Sequence, residues 1–148
     1  MAKLNLDRVL GHYVESIKAD KEYENGALVG KGLLVEGEDR LYEAVEATAD
    51  NHFLVSTPEI DFTASSTIGK SSIDYKNAKG EAMRAHQLEV GDTFTVEQKL
   101  HAAGLAAGDK VGVAGGQFAK DESGDYVVEV VKTIGADRRP AYRIRKVK

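Results

Sequence analysis

A chain of 148 residues, 42% apolar and 30% charged, is long enough for one domain with a sizeable core and needs no covalent staple. It has no cysteine, which excludes disulfides and thiolate metal sites and fits assembly in a reducing cytosol, and it has no run of 18 apolar residues, which argues against a membrane-spanning helix. The net charge of −4 is unevenly spread: residues 138–148 hold six basic side chains and no acid, so the residues before them carry −10, an acidic body that disfavours general nucleic-acid binding.

The N-terminus lacks the apolar stretch of a signal peptide. Leu6, Val9, Leu10, Tyr13, Val14 and Ile17 fall at helical spacing, with Asn5 or Asp7 available as a cap. The competing reading is an extended arm that lies on a neighbour. Residues 1–25 are therefore set apart as an arm or short helix, and residues 26–148 as a β-rich domain. Asn25-Gly26 marks the turn between them.

Residues 27–47 read as a hairpin. Gly30 and Gly32 interrupt its first strand, which suggests a bulge or a close backbone approach, and Gly37-Glu38-Asp39 makes the turn. Phe53 to Thr57 is a buried-type strand that ends before Pro58. Residues 61–80 are rich in Ser and Thr and read as one long exposed loop, with at most a short strand near Ile73-Asp74-Tyr75.

One phrase then occurs twice, seventeen residues apart. Leu88-x-x-Gly91-Asp92-x-x-x-Val96 is followed by Leu105-x-x-Gly108-Asp109-x-x-x-Val113. Gly-Asp is turn chemistry, so each copy reads as a tight turn feeding a strand. In the first copy Leu88, Val90, Phe94 and Val96 share one parity, the mark of a half-buried strand. Residues 96–103 are expected as a short helix stopped by Gly104. Strands at Gln117–Ala119, Tyr126–Thr133 and Tyr142–Lys148 follow, separated by turns. The sum is mostly β: a single small antiparallel barrel or sandwich with an N-terminal arm or short helix and one long Ser/Thr-rich loop.

The residues that could carry chemistry have plainer explanations. Ala64 to Ser71 is one glycine short of a phosphate-binding loop, and its flanks are wrong for one. Gly30-x-Gly32 lacks the rest of a dinucleotide fingerprint. His12, His52, His86 and His101 are scattered, with no metal-ligand spacing. Glu36, Glu38, Asp39, Glu43 and Glu46 cluster on one hairpin as a solvated face or an acidic contact surface. Asp121 to Asp125 is a hairpin turn rather than a calcium loop. Neither a nucleophile elbow nor a thiol nucleophile is present. The expectation is a protein that is not an enzyme, with no cofactor and no metal. The basic end, Arg138, Arg139, Arg143, Arg145, Lys146 and Lys148, reads either as a charged sheet edge that resists pairing or as a contact face for phosphate or acidic protein.

Three stretches taken together resemble a known group. They are Glu24 to Ala44, Phe53-Leu-Val-Ser-Thr-Pro-Glu59, and Gly80 to Val96 with its closing Leu88-Glu-Val-Gly-Asp-Thr-Phe-Thr-Val96. In this order they resemble the small virion proteins of tailed bacteriophages, of the capsid decoration or head-auxiliary type. The resemblance covers residues 24–97. It implies a cement protein that binds the major capsid protein and neighbouring copies of itself without covalent links or membrane, located in the virion and assembled in the host cytoplasm. Leu6, Val9, Leu10, Tyr13, Val14, Ile17, Ile68 and Lys70 are then the expected capsid contacts. The alternative is a small β-barrel that binds nucleic acid through the basic C-terminal strand.

Overall fold

The computed structural model describes residues 4–8, 14–57, 76–134 and 138–148. Eleven strands are seen there: β1 (Leu4–Arg8), β2 (Val14–Lys18), β3 (Leu28–Leu34), β4 (Leu41–Val45), β5 (Phe53–Val55), β6 (Ala82–His86), β7 (Thr93–Glu97), β8 (Lys110–Ala114), β9 (Gln117–Lys120), β10 (Tyr126–Ile134) and β11 (Arg139–Lys146). The fold is mostly β. Strands β2-β4-β3-β5-β6 close into a barrel, and β1-β7-β11-β10-β8-β9 form a six-stranded sheet. All described pairings are antiparallel except β2 with β4.

The helical expectation for residues 4–17 is corrected, since the described parts of that stretch are strands. β1 lies at the edge of the sheet against β7, and β2 is a stave of the barrel between β4 and β6. The helical spacing arose from two strands in different units, read as if they were continuous. Ile17 is fully buried inside the barrel, so it serves the core and not a capsid contact. Removing residues 1–20 would therefore open the barrel rather than trim an appendage.

Two apolar clusters hold the molecule together. Ile17, Ala19, Val29, Ala44, Phe53, Val55, Met83 and Ala85 fill the barrel. Leu28, Ala47 and Leu54 point out of the barrel and join Leu88, Phe94, Val96, Leu105, Phe118, Tyr126, Tyr142 and Ile144 of the sheet. The alternation of β3 and β5 explains both sets: Val29 and Phe53 face inward while Leu28 and Leu54 face the sheet. Strands covered on both sides need continuous apolar runs, and Ala27-Leu-Val and Phe53-Leu-Val supply them.

The repeated phrase folds twice in the same way. Glu89 O accepts the N–H of Asp92 at 3.0 Å, and Ala106 O accepts that of Asp109 at 3.0 Å. Each aspartate carboxylate reaches back to the first turn N–H at 2.9 Å, from Glu89 and from Ala106. Gly91 and Gly108 take φ of +97° and +91°. Gly91 N–H then bonds Lys146 O on β11, and Gly108 N–H bonds Val128 O on β10. The two copies thus flank the β10–β11 hairpin, feeding β7 beside β11 and β8 beside β10. Val90 sits exposed in the first turn rather than on a half-buried strand, and β7 begins at Thr93 with both faces buried. The expected helix after it is a single 3₁₀ turn, Gln98–Leu100.

The glycines of β3 serve a close approach and a bulge together. A Cβ on Gly30 would meet Val45 and Glu46 O, and one on Gly32 would meet Glu43 O at 2.8 Å. The register passes from Lys31 opposite Ala44 to Leu34 opposite Tyr42, which leaves Gly32 and Leu33 facing Glu43 alone.

Candidate functional site

Two histidines fasten the barrel to the sheet. His101 is buried. Its Nδ1 accepts the N–H of Phe118 at 3.1 Å, so Nε2 carries the proton and donates to Gly26 O at 2.9 Å. Burial pulls its pKa down to about 4, opposed by the Gly26 hydrogen bond. His101 also blunts a sheet edge. With Ala102, whose N–H bonds Phe118 O at 3.0 Å, it occupies both outward backbone groups of Phe118 on β9. His52 is the second fastener. Its Nδ1–H donates to Thr48 O at 3.0 Å, and its Nε2 accepts the Tyr126 hydroxyl at 2.6 Å. Burial lowers the His52 pKa and raises that of Tyr126. His86 is held down by burial and by Arg84. Among the described residues no group of three or more His, Asp or Glu stands together as metal ligands would.

A polar network pins the stems of the long Ser/Thr-rich connection. Asn25 Nδ2 donates to Thr57 O at 2.8 Å and Asn25 Oδ1 accepts Thr57 N–H at 3.1 Å and Asn77 Nδ2–H at 3.2 Å. One buried asparagine therefore holds both ends of residues 58–76. Residues 58–75 of the connection, including Ile68, Lys70 and the near phosphate-loop match, lie outside the described residues. At the barrel mouth Lys31 Nζ sits 3.1 Å from Glu15 Oε1 and 4.0 Å from the centre of the Tyr42 ring.

The expected capsid contacts divide three ways. Leu6 on β1 and Val14 at the start of β2 are 41% and 45% exposed. Ile17 is buried. Val9, Leu10 and Tyr13 lie outside the described residues. The N-terminal segment thus runs from the sheet to the barrel and leaves an exposed apolar side chain on each.

The basic end is partly spent on its own fold. Arg139 Nη1 forks onto the two carboxylate oxygens of buried Glu97 at 3.1 and 3.2 Å. Lys146 Nζ donates to Leu88 O at 3.0 Å and lies over the Tyr126 ring. Tyr142 and Ile144 face the core while Arg143 and Arg145 share the opposite face of β11. Arg145, Lys148 and Arg138 are exposed, and Arg138 takes a left-handed φ of 53°. Two of the six cations are thereby withdrawn from any extended phosphate footprint.

Sequence reasoning missed the most exposed large apolar residue of the described chain. Leu33 is 84% exposed and Leu34 is 48% exposed, at the end of β3 and just before Glu36, Glu38 and Asp39. The Leu33-Leu34-Val35 run looks like core strand. The acidic residues directly after it were the available signal. No family model, curated protein or solved structure matches the chain.

Proposed function

We propose that this protein is a structural virion component of a tailed bacteriophage, a cement protein that binds the major capsid lattice from outside. The observation that carries the reading is the placement of Leu6 and Val14. The N-terminal segment is built into both units of one β-body, and each unit presents one of these apolar side chains to solvent. The resemblance over residues 24–97 supplies the partner. The His52–Tyr126 and His101–Gly26 hydrogen bonds support it further, because a barrel fastened to a sheet holds its contact residues in fixed relation. Weak contacts of this size become effective when a repeating lattice presents many of them.

The test is co-sedimentation with shells assembled from the major capsid protein of the phage that the proposal assigns it to. Leu6→Asp combined with Val14→Asp is expected to weaken binding at least about tenfold, a loss of roughly 1.4 kcal/mol. Thermal stability should change little, since both side chains reach solvent and neither belongs to either apolar cluster. Binding of the double variant at wild-type strength would remove the N-terminal contact. Failure of the wild-type protein to bind shells at all would remove the cement reading.

A further inference from the structure

Two further exposed surfaces have opposite charge and apolar centres. The first is the tip of the β3–β4 hairpin, with Leu33 and Leu34, the carboxylates Glu36, Glu38, Asp39 and Glu43, and the single cation Arg40. None of these carboxylates has an ion-pair partner among the described residues. The second is the face of the β10–β11 ladder that turns away from the core. There Val130 stands opposite Arg143 and Val127 opposite Arg145. Its one acid, Glu129, lies 4.0 Å from Arg143 Nε, and that nitrogen is enclosed without a hydrogen-bond partner among the described residues.

We propose that these two surfaces dock on each other between copies of the protein, the leucine-tipped acidic hairpin of one against the valine-lined basic face of the next. Each surface puts aliphatic side chains at its centre and a majority of one sign of charge around them. Such a pattern favours a partner of opposite sign with an apolar centre of its own. The segregation of charge along the chain supplies both halves in one molecule. Hairpin against hairpin, or basic face against basic face, would bring like charges together. The contact is therefore head-to-tail, and it extends into rows or rings of copies instead of stopping at a two-fold dimer. It requires no capsid, so it stands or falls separately from the cement reading.

Sedimentation velocity of the free protein tests it. At low salt the wild-type protein is expected to associate as concentration rises, with the association constant falling at least about tenfold as salt screens the charges. Two variants reverse one surface each: Glu36→Lys with Glu38→Lys and Asp39→Lys, and Arg143→Glu with Arg145→Glu. Each alone should stay monomeric, with circular dichroism and melting unchanged from wild type. An equimolar mixture of the two should associate again, because each then meets a surface of opposite sign. Three results would overturn the proposal: a wild-type protein that is monomeric at every salt concentration, a single variant that still associates, or a mixture that stays monomeric. Salt-dependent duplex DNA binding by the wild type, lost in the Arg143 and Arg145 variant, would assign the basic face to nucleic acid and overturn it as well.

Discussion

Lowering the pH from 6.5 to 4 is expected to remove about 3 kcal/mol of folding stability through His101 alone. The folded-state pKa of this histidine is about 4, against 6.5 for the ordinary side chain. The unfolded chain therefore takes up the proton more readily than the folded one. The stability is fully present above pH 6.5 and is lost as pH falls toward 4. Geometry explains the resistance to protonation: Nδ1 already faces the N–H of Phe118, and a proton there would set two donors against each other. His52 and His86 are also pulled down, chiefly by burial, and act in the same direction. Urea unfolding at a series of pH values measures the effect. His101→Phe should flatten the dependence across this window while costing about 2–4 kcal/mol near neutrality, because Gly26 O and the Phe118 N–H lose their partner. A variant that keeps the full acid dependence would show that the proton binds elsewhere.

Among the described glycines, replacing Gly124 with alanine should be the most damaging, at about 3 kcal/mol or more. Gly124 is buried in the turn before β10, where its N–H bonds Asp121 O at 2.9 Å. A Cβ there would run into the Val111 carbonyl group and lie 2.7 Å from Gly112 N. These are backbone atoms of β8, which cannot swing aside as a side-chain end does. Gly37→Ala is the control. Gly37 has φ of +84° and open space around it, so alanine there suffers only left-handed strain, about 1–2 kcal/mol. Thermal unfolding of the two variants separates collision from strain. Equal losses would contradict the close approach of the 121–125 turn to β8.

The sequence made the β-architecture legible where a local signal coincided with a tertiary one. The paired Leu-x-x-Gly-Asp phrases encode turns complete within four residues, and both turns form as the sequence implies. Gly30 and Gly32 signalled a bulge or a close backbone approach, and the strand has both. Residues 4–17 were misread because the helical period assumes one continuous element, whereas the described residues divide between a sheet edge and a barrel stave. The fastening histidines were illegible for another reason. His52 meets Tyr126 from 74 positions away and His101 meets Gly26 from 75, so nothing local marks either pair. Leu33 was missed because exposure at a strand end depends on where the barrel stops, and hydrophobicity alone does not report that.

The cement reading has one direct test, the stoichiometry of the protein in purified phage particles. Quantitative mass spectrometry of particles freed of unassembled protein should find it in a fixed, simple ratio to the major capsid subunit, as lattice symmetry requires. Its absence from purified particles, or an amount unrelated to the capsid subunit, would contradict the account.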